Sequence, residues 1–348
     1  MTQNRALHRF AVLTGAATIL LIFVGGLVTS TGSGLAVPDW PTTYGRFMFA
    51  FPLSDMVGGI FYEHGHRLVA SLVGLLTLTL AVWLWRAEQR RWVRRLGWAA
   101  LAAVIGQGLL GGITVLYLLP TPVSVFHATL AQTFLLMVIL LAYATSREFI
   151  GATGEPAPAS GDSQGIRRWI SVTVGLIYVQ LVLGAVMRHT GSGLAFLDFP
   201  LSGGYLVPTF DAGLLEAVNG QRMALELSAV TRGQLLINFA HRLGALAVSV
   251  AVVGTVLKAW RQTGIHPGLR RQSAALLAVL VVQVALGAAT VLSGRQALLT
   301  SGHVVTGAVL LGLSFLYGLR VYHFYPPAPQ PVHRPALDRL QAGLEGSL

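Results

Sequence analysis

Hydrophobic positions in this chain neither alternate nor recur on one narrow face; they run on. Stretches at roughly 9–29, 67–85, 97–117, 122–144, 168–188, 236–258, 273–293 and 301–320 are mostly apolar, with polar segments between them. Each approaches the ~20 residues that a helix needs to cross the hydrocarbon layer at about 1.5 Å per residue. Lipid offers the backbone no hydrogen-bond partner, so runs of this kind fold as helices. The pattern predicts an all-α polytopic membrane protein with eight transmembrane helices.

Composition agrees: of 348 residues, 54% are hydrophobic and 11% charged, with mean hydropathy +0.66. A soluble domain carries about 25% charged residues, too many to reconcile with this chain. The net charge of +11 is mainly a topology signal. With eight spans, 17 of the 24 Lys and Arg fall at the termini and on the loops of one side, while Arg46, Arg222, Arg232 and Arg295 lie opposite and Arg67, Arg188 and Arg242 at span ends. The positive-inside rule makes the basic side cytoplasmic, both termini included, and puts loops 30–62 and 189–234 outside. No basic patch on a folded domain suggests nucleic acid; membrane lipid is the expected surrounding. Arginine outnumbers lysine 23 to one, which fits a GC-rich bacterial genome, and no transit segment is visible, so a bacterial cytoplasmic membrane is expected. The first span follows Arg5 and Arg9 like a signal peptide, but its match to the fifth argues that it is retained. With no cysteine, histidine, carboxylate and backbone must carry any chemistry.

The chain repeats itself. Thr31-Gly-Ser-Gly-Leu-Ala36 and Asp39-Trp40-Pro41 follow the first span; Thr190-Gly-Ser-Gly-Leu-Ala195 and Asp198-Phe199-Pro200 follow the fifth. His66-Arg67-Leu68 is answered by His241-Arg242-Leu243. Gln107, Leu110-Gly111 and Thr114-Val115 are answered by Gln283, Leu286-Gly287 and Thr290-Val291, and His127 by His303. The expected architecture is two tandem four-helix bundles related by a pseudo-twofold axis along the membrane normal. Residues 1–150 form the first and 166–325 the second; 151–165 is a flexible cytoplasmic linker and 326–348 a disordered cytoplasmic tail. The Thr-Gly-Ser-Gly segments read as tight turns rather than phosphate loops, since no Gly-Lys-Ser/Thr follows.

His66, His127, His241 and His303 lie near the outer ends of even-numbered spans, and 61 and 62 residues separate the members of the two pairs. Polar rings at one depth of a bilayer are costly unless used. Facing histidines in a four-helix bundle suit axial ligation of heme iron; hydrogen bonding between helices is the plainer alternative. Zinc wants about four N/S ligands and no cysteine exists, and a di-iron site wants several carboxylates where only Glu63 lies near these helices. Arg67 and Arg242 follow the first histidine of each pair and read either as heme propionate partners or as interfacial anchors. Gln107 and Gln283 read as structural, and His64, His189 and Arg188 rank lower for want of repeat partners. Glu63 stands one turn before His66, where the second half has Asn238. An acid beside one site and an amide beside the other suggest chemistry in the first half and a permanent cofactor in the second.

At Gly26-Leu-Val-Thr-Ser-Thr-Gly-Ser-Gly-Leu-Ala36, Pro38-Asp-Trp-Pro41, Glu63-His-Gly-His-Arg67, Phe126-His-Ala128, His241-Arg242 and Gly302-His303, the sequence resembles the heme A synthase family over nearly its whole length. The resemblance implies an oxidoreductase that converts the C8 methyl of heme O to a formyl group, giving heme A for terminal oxidases. It implies heme O as substrate between His66 and His127, with Glu63 catalytic. It also implies one heme b as cofactor, with His241 and His303 as its axial ligands. Heme O synthase, cytochrome oxidase assembly factors and further copies of the chain are the implied partners. Some members carry a cysteine pair in the first outer loop, absent here, which removes a thiol route for electrons. A diheme b-type electron carrier or a non-catalytic heme transporter are the alternatives; a carrier would want hemes near both faces, and a transporter interrupted helices or buried charge at the midplane.

Overall fold

The structure, a computed structural model, describes residues 3–151, 163–261 and 265–326. Most of the anticipated linker and nearly all of the anticipated tail fall outside these residues. Ten α-helices are described: α1 (Arg5–Ser30), α2 (Gly58–Ala87), α3 (Arg91–Leu116), α4 (Thr121–Ala144), α5 (Arg147–Gly151), α6 (Ser163–His189), α7 (Ala212–Ala224), α8 (Arg232–Arg261), α9 (Pro267–Leu292) and α10 (Ala297–Phe324). All but α5 and α7 are long and apolar enough to cross a membrane, making eight spans among the described residues.

Every span outruns its apolar stretch, because polar residues continue the helix once it leaves the hydrocarbon. Local chemistry starts several of them. The Asn4 side chain accepts from Leu7 N at 3.1 Å and Gln296 Oε1 from Leu299 N at 3.1 Å, while α4 and α9 carry proline in their first turn.

The second outer loop differs from the irregular segment expected, for it holds α7. Asp211 caps that helix by accepting from Leu214 N at 2.8 Å. Leu214 and Val218, one turn apart, are buried against Ala195, Phe196, Val230 and Leu235. A short amphipathic helix of this kind is hidden from any search for long apolar runs. At the opposite end, α5 carries Glu148, which accepts from Arg320 Nε and Nη2 at 2.7 and 2.8 Å.

Packing closes two rings. In the first half α1 meets α2, α2 meets α3, α3 meets α4 and α4 returns to α1; in the second α6 meets α8, α8 meets α9, α9 meets α10 and α10 returns to α6. The rings touch where α1 lies on α10, α4 on α6 and α4 on α10. Each has its own apolar core, set at one end. Leu7, Leu80, Leu84, Val93, Phe134 and Leu141 represent the first, and Ile166, Ile170, Val252, Leu269, Leu310 and Tyr317 the second. Early α1, α3, α6 and α9 thus pack against late α2, α4, α8 and α10, all at the end away from the four paired histidines.

Candidate functional site

His66, His127, His241 and His303 each lie roughly two turns inside the N-terminal end of α2, α4, α8 and α10. Every ring is enclosed by protein on its flanks and still keeps partial accessible surface.

Each imidazole rests on a glycine of the neighbouring helix. A Cβ at Gly25 of α1 would come within 3.0 Å of His66 Cε1, and one at Gly184 of α6 within 3.1 Å of His241 Cε1. For Gly111 of α3 and His127 the distance is 3.5 Å, and for Gly287 of α9 and His303 it is 3.0 Å. Gly25 and Gly184 occupy matching places in the repeat, as do Gly111 and Gly287. These seats escaped the reading of the sequence, although Gly111 and Gly287 were visible there as repeated residues without a reason.

The second pair is the more explicit. The His241 and His303 rings have centroids 6.5 Å apart and planes at 72°. Two imidazoles reaching one metal from opposite sides at about 2.0 Å per nitrogen would have centroids roughly 6 Å apart once the rings are included. His303 Nδ1 lies 3.1 Å from the Gln283 carbonyl, the contact by which a backbone oxygen orients a ring and leaves Nε2 for a ligand. Gln180 Nε2 lies 3.1 Å from His241 Nδ1 and donates to the His241 carbonyl at 2.8 Å. In the first pair, His66 and His127 are within electrostatic reach of each other. His66 Nδ1 is buried without a partner, and His127 Nδ1 faces the Gln107 carbonyl without closing a hydrogen bond. Among the described residues no three His, Cys, Asp or Glu side chains converge; the fold brings histidines together in twos. Two rings across a space, with orphaned or oriented nitrogens and glycine floors, fit a flat metal macrocycle.

Glu63 is 3% exposed and engaged on both oxygens. Oε2 accepts from Val37 N at 2.7 Å and Oε1 from Arg67 Nη2 at 2.7 Å. Arg67 also donates to the carbonyls of Asp39, Thr42 and Val37 at 2.8, 3.0 and 3.0 Å, so this pair binds the first outer loop down onto α2. Arg242 does the same opposite, donating to the Leu201 carbonyl, to Ser202 Oγ at 3.3 Å and to the Phe196 carbonyl at 3.5 Å. Asn238 inverts the part of Glu63: its amide donates to the Ser192 and Gly193 carbonyls at 2.9 and 3.2 Å.

The loops themselves repeat. Gly32 and Gly191 both have φ 69°, in the left-handed region that glycine favours, so the Thr-Gly-Ser-Gly segments are tight turns. Thr31 and Thr190 hydroxyls lie 2.7 Å from those of Ser33 and Ser192. Asp39 accepts from Tyr44 N and Gly45 N, and Asp198 from Gly203 N and Gly204 N, at 2.8 to 2.9 Å. Burial would raise the Asp39 carboxyl, but hydrogen bonds from Thr42, Gly45 and Tyr44 outweigh it and hold the group below its usual range. Trp40, inside this loop, packs against Gly112 of α3. His64 is taken up by the same loop, its Nδ1 3.0 Å from Thr43 Oγ1 and its ring against Phe51.

An eight-span bundle carrying two histidine pairs, in halves whose loops repeat, defines a polytopic membrane protein with a doubled set of paired imidazoles. The chain belongs to the COX15-CtaA family of cytochrome oxidase assembly proteins, which it matches over residues 8–315. It is similar to proteins named heme A synthase: 31% identical to one from Symbiobacterium thermophilum over 82% of this chain and 85% of that one, and 29% identical to one from Shouchella clausii over 90% and 95%. A third, from Halalkalibacterium halodurans, is 25% identical over 88% of this chain and 94% of its own. With this membership the chain is a multi-pass membrane oxidoreductase.

Proposed function

We propose that this chain is a heme A synthase that oxidises the C8 methyl of heme O to a formyl group, supplying heme A to terminal oxidases. Residues 1–150 hold the substrate between His66 and His127. Residues 166–325 hold one heme b between His241 and His303. The observation that carries the reading is the pair of imidazoles in each half, each ring seated on a glycine, with His241 and His303 centred 6.5 Å apart. The mirrored contacts between the halves, α1 on α10 and α4 on α6, support a pseudo-twofold axis along the membrane normal. The distribution of arginine supports cytoplasmic termini and heme sites near the outer face. A bacterial cytoplasmic membrane, with heme O synthase, oxidase assembly factors and further copies of the chain as partners, completes the proposal.

Heme b supplies the redox capacity that no side chain here offers. The protein does the rest. The outer loops are pinned by Arg67 and Arg242 over the histidine ends of α2 and α8. The glycine seats fix the rings, and the Gln283 carbonyl holds the His303 tautomer. Glu63 brings a carboxylate one turn from His66, where it can stabilise positive charge developing at the macrocycle edge or take a proton from an attacking water. For Arg67 or Arg242 to pair with a propionate, each must trade a loop carbonyl for the carboxylate. Intact α2, α4, α8 and α10 give no support to a transporter with interrupted helices.

The purified protein should carry a low-spin b-type heme and convert added heme O to heme A. His241→Ala or His303→Ala should abolish most of the heme absorbance, while His66→Ala should spare it and stop conversion. Equal loss of heme from all four single alanine variants would refute the division between halves. Heme bound without conversion would favour the electron carrier.

A further inference from the structure

The outer end of the second half holds two cations that the first half lacks. Arg188 is in the last turn of α6; Arg295 is in the turn between α9 and α10. The repeat register that matches Thr31 with Thr190 puts Thr29 at the place of Arg188, and the register that matches His127 with His303 puts Leu119 at the place of Arg295. The structure bears out the second match in detail. A Cβ at Gly34 would meet Leu119 Cδ1 at 3.4 Å, and one at the equivalent Gly193 would meet Arg295 Cδ at 3.8 Å. Both turn residues have positive φ, 59° and 68°. One side-chain position is therefore aliphatic in one half and cationic in the other.

Arg188 reaches out of its own bundle. Its Nη2 donates to the Gly26 carbonyl of α1 at 2.9 Å and to Ser30 Oγ at 2.7 Å, and Ser30 Oγ is joined to Ser301 Oγ of α10 at 3.0 Å. Its Nε is buried with no partner. Arg295 lies within electrostatic reach of it. Among the described residues neither arginine is paired with a carboxylate. A buried guanidinium with one donor unmet, with a second cation in electrostatic reach, is costly unless an anion joins them. Position names the anion. Arg188 stands one turn beyond Gly184, the seat of His241, and Ser301 stands two residues before His303. Chain position therefore puts both cations beyond the second histidine pair, toward the end of the bundle that carries the repeated loops.

We propose that Arg188 and Arg295 form the receptor for a porphyrin carboxylate, the propionate edge of the heme held between His241 and His303. This rests on the C-terminal heme site proposed above. It also gives the asymmetry of the halves a second meaning. A carboxylate clamped by two arginines ties a cofactor in place, whereas Thr29 and Leu119 leave the first site without that tether, as suits a substrate that must depart.

The test compares heme b with its dimethyl ester, which keeps the iron and ring and lacks both carboxylates. Full-length protein produced under heme limitation is loaded with either form, and retention is read from the low-spin spectrum. The parent should prefer the free acid by about tenfold or more, the scale of charge-assisted hydrogen bonds. Arg188→Thr with Arg295→Leu, the residues of the first half, should bring the two forms to near parity while still binding the ester. Arg295→Leu alone, which breaks no hydrogen bond of the fold, should remove part of the preference even if the double variant fails to fold. A preference unchanged in Arg295→Leu and in Arg188→Thr would overturn the proposal and leave the heme b site standing. A parent that takes up neither form would overturn the heme b reading, and this proposal with it.

Discussion

Glu63 and Asn238 occupy one place in the repeat and fasten their loops in opposite senses, the acid by accepting an N–H and the amide by donating to carbonyls. Glu63→Gln keeps an acceptor for Val37 N and loses the ion pair, while Arg67 retains its three loop carbonyls. The variant should fold, keep its C-terminal heme and lose roughly 10²–10⁴-fold in heme A formation, the span of a lost general base. Arg67→Gln breaks the same ion pair without removing the carboxylate and should keep more activity. Measured side by side by product analysis, an equal fall in both would make Glu63 a loop clasp and nothing more. The one-turn spacing of Glu63 and His66 was legible in the sequence because it is local. The Val37 amide was not, since it lies 26 positions earlier, across the loop that precedes α2.

Among elements, the spans were legible and their floors were not. Apolar runs declare a membrane helix by themselves, whereas a glycine seat exists only once two helices are side by side. Gly184→Val would push branched methyls into the His241 ring, an overpacking that costs about 1–3 kcal/mol where neighbours cannot yield. The expected result is weakened or absent low-spin heme in purified Gly184→Val, with Gly25→Val keeping its heme spectrum and losing conversion. Matching heme content in the two variants would mean that the seats do not distinguish the pairs. Helix α7 was missed for a related reason. Its buried apolar residues are only Leu214 and Val218, beside the buried Arg222, and their partners Ala195, Phe196 and Leu235 come from both sides of the loop. Arg188 has no repeat partner in the sequence, and that lack is what marks it, because its guanidinium bonds across the bundle boundary to Gly26 and Ser30 of α1.

For the whole molecule, arginine placement sets the expected orientation. Reporter fusions at Gly161, in the linker, and at Gly213, in the second outer loop, should report opposite sides of the membrane; the same side for both would break the eight-span topology. Between the halves, contacts come in mirrored form: α1 on α10 answers α6 on α4, and α4 on α10 answers itself. That is how two copies of one four-helix chain would meet in an isologous dimer. A dimer of that kind would carry a restriction that a single chain escapes. When both halves are read from one gene, every substitution arrives twice, so an acid gained for chemistry would also appear beside the stored cofactor, and an arginine gained to hold one ring would hold both. Joining the copies end to end lets each locus drift alone. Glu63 opposite Asn238, and Arg188 opposite Thr29, are differences that two products of one gene could not show.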